Sequence, residues 1–170
     1  IVFGDWSSDV CSSDLDWKEA GFRVEFMPDM DGFIQPKASF EPSFRAAWDQ
    51  RGLLLLLKVL DDIIVESAAE SLTGEQDSVE VLVGTGRGSS EYYSLVVVPG
   101  ITPALPEMRV KPIDLRKKDP RAPLSYEAAR TKSADGYVLE ALLPWANLGI
   151  TPRRGVVVAL QVIVNDSDGP

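Results

Sequence analysis

Short windows in which every second residue is apolar constrain this chain most. In Ser78-Val79-Glu80-Val81-Leu82-Val83, the three valines fall on one face and Ser78, Glu80 and Leu82 on the other. That is the period of a half-buried strand, not of a helix. Strand-like windows occupy residues 43–48, 53–60, 77–83, 91–98, 125–132, 136–143 and 155–165. Helical signal is limited to residues 63–72 and a short turn at 145–148. Alternation of this kind belongs to antiparallel sheets. Several such strands separated by turn signals predict an all-β fold, an antiparallel β-sandwich of jelly-roll or immunoglobulin-like type.

The longest apolar run, residues 53–60, is interrupted by Lys58 and closed by Asp61-Asp62. It is far short of the ~20 residues a membrane span requires, so it reads as a buried strand. Asp49-Gln50-Arg51-Gly52 ahead of it has the length and terminal glycine of a four-residue hairpin turn. Trp48, at the end of the preceding strand, reads as a core aromatic. Gly84-Thr85-Gly86-Arg87-Gly88 has the glycines of a phosphate loop, but a strand pattern beginning Glu91-Tyr92 follows it. A phosphate loop opens a helix, so this one reads as a hairpin connection. Residues 99–123 hold six prolines and the basic cluster Arg116-Lys117-Lys118, and read as a long irregular connection.

A chain of 170 residues is the size of one domain and buries roughly 70% of its unfolded surface without metals or disulfides. Its net charge of -9 disfavours nucleic acid, which requires a basic stripe. Histidine is absent from the sequence, which removes Ser-His-Asp chemistry and His-ligated zinc. Carboxylates remain for catalysis. Glu80 and Glu140 both fall in strand windows, and glycoside hydrolysis would require such a pair at roughly 5–10 Å. The acids Asp61, Asp62, Asp77, Asp166 and Asp168 flank strand ends, and hard oxygen donors on loops suit Ca²⁺. Asn165-Asp166-Ser167-Asp168-Gly169 begins like a calcium loop and lacks the distal Glu.

The first residues differ in kind. Asp5-Trp6-Ser7-Ser8-Asp9-Val10-Cys11-Ser12-Ser13-Asp14-Leu15 matches the translation of a common DNA-sequencing adaptor, so residues 1–15 are set apart and the domain is taken as 16–170. The only cysteine, Cys11, belongs to that segment, which leaves the domain without a thiol nucleophile or a disulfide. The strand pattern that runs up to Gly169-Pro170 reads as cut at that end too, so truncation is expected at both ends.

Four segments recur together in a known order: Ala47-Trp48-Asp49 into Leu53-Leu54; Glu75-Gln76-Asp77-Ser78-Val79-Glu80; Gly136-Tyr137-Val138-Leu139-Glu140-Ala141 into Pro144-Trp145; and Val164-Asn165-Asp166. Together, over roughly residues 31–170, they resemble the family 9 carbohydrate-binding modules and their relatives. The resemblance implies a non-catalytic β-sandwich module of a larger secreted bacterial carbohydrate-active protein. It also implies an extracellular or periplasmic location, a glycan as partner and a covalently linked catalytic domain. Members often carry structural calcium, which points to Asp61 or Asp62 with Asp77. In the family the sugar lies between two tryptophans, one of them immediately before the Glu-Gln-Asp-Ser-Val-Glu motif, where this chain has Gly74. The last Glu of that motif corresponds to Glu80. An arginine of the next strand aligns with Ser94, and a glutamine two residues before the Asn-Asp pair aligns with Ile163. The sugar-binding face expected is therefore Glu80, Tyr92, Ser94 and Gln161.

Two other readings stay open at this stage. One is a structural module that packs on a neighbouring domain without a ligand of its own. The other is a haem-binding sandwich, whose axial ligands without histidine would come from Met27, Met30 or Met108, or from lysine.

Overall fold

The computed structural model describes residues 22–25, 27, 28, 31–33, 39–68, 75–116 and 123–168. The adaptor-like segment, Met30 and Gly74 lie outside the described residues. In chain order the strands are β1 (Phe22–Val24), β2 (Phe40–Trp48), β3 (Gly52–Asp61), β4 (Ser78–Gly84), β5 (Tyr92–Val98), β6 (Arg109–Asp114), β7 (Glu127–Ser133), β8 (Gly136–Pro144) and β9 (Ala159–Asn165). A single turn of 3₁₀ helix, Trp145–Leu148, follows β8. No helix among the described residues is long and apolar enough to cross a membrane. The described residues fall into two compact units, one within 1–62 and 125–145, the other within 63–124 and 146–170.

The first unit is a five-stranded antiparallel sheet in the order β1-β2-β3-β8-β7. Its middle strand explains the unbroken apolar run. Leu53, Leu55, Leu57 and Val59 face one way and are 7%, 0%, 0% and 1% exposed. In register with them stand Leu143, Ala141, Leu139 and Tyr137 of β8. On the opposite face Leu54 packs with Ala47 of β2 and Leu142 of β8, and the half-buried Leu56 lies against them. A strand covered on both faces has no reason to alternate. Alternation resumes at the exposed Lys58, where the second face becomes wet.

The expected hairpin turn is present, and its chemistry resides in Asp49. One carboxylate oxygen, Oδ1, accepts the Arg51 and Gly52 N–H groups at 2.7 and 3.1 Å, and the Asp49 N–H donates to the Gly52 carbonyl at 3.1 Å. This side-chain turn is why Asx residues open such loops. Gly52 is required for a different reason: a Cβ there would lie 2.3 Å from the Leu143 carbonyl oxygen. Trp48 departs from expectation. It is the last residue of β2 and is 43% exposed, whereas Trp145 is the buried indole at 7%. The Trp145 Nε1–H donates to the Asp49 carbonyl at 2.8 Å.

The second unit is a four-stranded antiparallel sheet in the order β6-β5-β4-β9. One of its faces carries Val79, Val81 and Val83 with Tyr93, Leu95 and Val97, all at 2% exposure or less. The glycine-rich segment after β4 connects it to β5, as expected of a hairpin. Two expectations fail here. Residues 109–114, within the stretch expected to be irregular, form β6 on the sheet edge. Pro112 is tolerated there because an edge strand has one side without a ladder to complete. Residues 63–68 are not helical. The backbone groups of Val65, which a helix would pair internally, are both taken by Asp77. Its N–H donates to the Val65 carbonyl at 2.8 Å, and its Oδ2 accepts the Val65 N–H at 2.6 Å.

Candidate functional site

Residues directly opposite one another in an antiparallel pair share a face, so the register of the second sheet sorts its side chains into rows. Glu80 of β4 stands opposite Val96 of β5 and Ile163 of β9, and Val96 opposite Lys111 of β6. The next row on the same face is Ile113, Ser94, Leu82 and Gln161, followed by Tyr92, Gly84 and Ala159. The four residues expected to meet a sugar, Glu80, Tyr92, Ser94 and Gln161, therefore lie on one face, opposite the valine core. Glu80 and Tyr92 are half-buried and Gln161 is exposed. Ser94 is 2% exposed, the deepest of the set. Lys111 and Arg109 complete this face from β6. Sequence reasoning missed both, because six prolines masked the alternation Arg109-Val110-Lys111.

Most of the motif around Glu80 does other work. Gln76 is 1% exposed, and its Oε1 accepts the Ser67 N–H at 3.1 Å and Arg109 Nη2 at 2.8 Å. Asp77, equally buried, holds Val65 and also accepts the Ser167 N–H on Oδ1 at 2.8 Å. The Ser78 Oγ accepts the Asn165 Nδ2–H at 3.0 Å, between residues paired in the ladder. Gln76, Asp77 and Ser78 on one side and Asn165 on the other thus fasten β4, β9 and the segment before β4 together. Only Glu80 turns its carboxylate to the polar face. Neither Glu80, Tyr92, Gln161 nor Lys111 forms a side-chain hydrogen bond or ion pair with a described residue.

The acids at the strand ends have distinct settings. Asp61 ends β3 and is buried, its N–H donating to the Asp135 carbonyl at 2.9 Å; Asp62 is exposed, with its N–H on the Ser39 carbonyl at 3.1 Å. In the second unit a carboxylate oxygen of the exposed Asp166 lies within 4.8 Å of one of buried Asp77. Two hard oxygen donors this close are of the kind that suits Ca²⁺. Glu140 is half-buried in β8 and is held by interactions of its own.

On the core face a polar network closes the other end of the sheet. Arg116 donates through Nε to Asp114 Oδ1 at 2.6 Å, through Nη2 to Oδ2, and through Nη1 to the Asn147 carbonyl. The hydrogen bond to Asp114 raises its pKa, against the opposing effect of burial. Tyr93 is 1% exposed. Burial raises its pKa, against the lowering effects of the Asn147 side-chain hydrogen bond and the Arg116 charge. A tyrosine held neutral by the fold binds its proton more tightly folded than unfolded. Its stabilising contribution is present below its ordinary value of ~10 and is lost as pH rises through the higher folded value. Tyr93→Phe is expected to lower stability at neutral pH by about 1 kcal/mol, the worth of one hydrogen bond, and to flatten the loss of stability above pH ~10. Urea unfolding of both proteins at neutral and alkaline pH checks this, and equal alkaline slopes would refute it.

A family model described as carbohydrate family 9 binding domain-like matches residues 12–170. A solved carbohydrate binding module family 9 from Caldicellulosiruptor kristjanssonii in complex with cellotriose superposes with a TM-score of 0.67 at 18% identity, covering 98% of this chain and 75% of that one. The module from the same organism in complex with glucose gives 0.67 at 17% identity, covering 99% and 78%. At these identities the likeness shows the fold, and it bears out the all-β antiparallel sandwich class read from the strand windows. No curated protein sequence matches this chain.

Proposed function

Because the chain belongs to the carbohydrate family 9 binding domain-like family, we propose that it binds a glycan on the face carrying Glu80 and catalyses nothing itself. One observation carries the reading. The interior polar residues Gln76, Asp77, Ser78 and Asn165 are bonded to their neighbours. Glu80, Tyr92 and Gln161 share a face and form no hydrogen bond or ion pair with a described residue. A carboxylate on the central part of a sheet, flanked by the apolar Val96 and Ile163, is a directed acceptor for two sugar hydroxyls, the usual economy of a small-ligand site. Tyr92 supplies an aromatic surface with a polar tip.

Cellotriose and glucose, held by the solved modules, make glucose and its β-linked oligomers the first probes. With Gly74 where a stacking tryptophan would stand, the site keeps the polar half of a sugar clamp. Affinity is expected near millimolar, about -4 kcal/mol. Isothermal calorimetry should show this binding lost in Glu80→Ala and strengthened about tenfold in Gly74→Trp, the worth of one aromatic stack. Tight binding that survives Glu80→Ala would place the site elsewhere. Absence of binding to every glycan would favour a structural module without a ligand.

The remaining parts of the reading are proposals too, the domain start resting on the adaptor-like segment before residue 16 and the others on the family resemblance. The domain is proposed to begin near residue 16, to be carried by a larger secreted protein with a catalytic domain, and to hold structural calcium. Asp77 and Asp166 fit that ion by donor type and proximity. Bound there, it would neutralise two adjacent carboxylates at the end of β9.

A further inference from the structure

Among the described residues four strands form the edges of the two sheets: β1 and β7 in the first, β6 and β9 in the second. An edge strand leaves the N–H and C=O groups of alternate residues unpaired, so it needs a guard against pairing with another chain. Three of the four have one. β1 is only three residues long, β6 carries Arg109, Lys111, Pro112 and Asp114, and β7 carries Glu127, Arg130 and Lys132. β9 has none: residues 156–165 hold no charge, proline or glycine. Among the described residues it pairs with β4 alone. Its core-face side chains are also left partly uncovered. Leu160, Val162 and Val164 are half-buried, whereas Val83, Val81 and Val79 opposite them are 1%, 2% and 0% exposed.

We propose that the free edge of β9 is an interface, and that its partner is β9 of a second copy of this chain, paired antiparallel about a twofold axis. The unpaired backbone groups call for an extended strand, and β9 itself is the described edge that suits. Against β6 or β7 the apolar row would lie beside charged side chains, and Pro112 would interrupt the ladder. Against itself it meets no charge. A register that keeps both core faces on one side pairs residues of like parity. Centred on Val162, it sets Leu160 against Val164 of the second copy and Val162 against its own equivalent, so the valine face continues across the axis. Each copy has one such edge, so association closes at a dimer and does not grow into a fibre.

Sedimentation velocity on the whole chain tests this, in reducing buffer so that Cys11 links no copies. A concentration-dependent dimer is expected, weak because the interface is small. Salt should strengthen it, because the net charge of -9 on each copy is then screened. Gln161→Lys, at an exposed position of β9, should weaken it roughly threefold to fivefold, the worth of like charges brought together across paired strands. Thr131→Lys, at an exposed position of the β7 edge, should leave it unchanged. Mixing Gln161→Lys with Gln161→Glu chains should restore it. A monomer at every concentration up to the solubility limit would overturn the proposal, as would a dimer indifferent to Gln161→Lys, one weakened by salt, or larger aggregates in its place. Hydrogen exchange reads the same edge directly, and the amides of β9 should slow as concentration rises. Full protection in dilute monomer would show that the chain itself covers the edge, and would overturn the proposal as well.

Discussion

Glu66→Ala is expected to cost about 3–5 kcal/mol, because the side chain it removes accepts a run of three consecutive backbone N–H groups. The Gly100 N–H reaches Oε1 at 2.6 Å, the Ile101 N–H is shared between the two oxygens at 3.0 and 3.2 Å, and Thr102 gives its N–H at 2.9 Å and its hydroxyl at 2.6 Å to Oε2. Gly100 and Ile101 are buried, so water cannot simply replace the carboxylate. Each buried donor left without an acceptor costs ~1–3 kcal/mol, and the half-exposed Thr102 falls at the low end. For a domain of this size the melting temperature should drop by roughly 10 °C. Glu66→Gln keeps one carbonyl oxygen but turns an amide toward donors, so it should fall between the two. Gly100 cannot be replaced in this loop: it has φ of +67°, and a Cβ there would lie 2.1 Å from the Glu107 carbonyl carbon. Thermal and urea unfolding decide it, and a loss under 1 kcal/mol would show that the loop finds other acceptors.

Leu57→Ala should cost about 2–5 kcal/mol, the range for a buried leucine whose cavity cannot fully collapse. Leu57 is 0% exposed and stands in register between Phe44 of β2 and Leu139 of β8. Its neighbour Leu56 faces the other way, between Arg45 and Glu140, and is only half-buried. Leu56→Ala should cost about 1–2 kcal/mol, since its methyl groups already meet water in part. A slip of one residue would exchange the two faces. If urea midpoints showed the larger loss for Leu56→Ala, the register of β3 would be wrong.

How much of this was legible beforehand depends on what kind of signal each part leaves. Strands β3, β4 and β5 announced themselves by apolar runs or alternation, and the Asp49 turn by its residues. Strand β6 did not, because Pro112 and its proline-rich flanks read as loop, and only sheet order reveals an edge that tolerates them. Trp48 and Trp145 are alike as letters, and their opposite burial depends on which one stands at a strand end beside the turn. Alternation paired Tyr92 with Ser94 and Gln161 with Ile163 by counting along each strand, and the family resemblance joined them to Glu80. Lys111 required knowing that β6 pairs with β5, a long-range fact that no local pattern carries.

The bonding of Gln76, Asp77, Ser78 and Asn165 to one another's surroundings has a consequence for how such domains are recognised. The letters that make the chain identifiable are the rivets of the scaffold, and they say little about what is bound. Of the residues proposed to meet a sugar, Glu80 belongs to that signature, while Tyr92 and Gln161 stand outside it. On the proposed reading a lineage can therefore change what it binds through the latter two while most of its signature stays intact. On that reading ancestry and appetite overlap at Glu80 and part company elsewhere in the same short sheet.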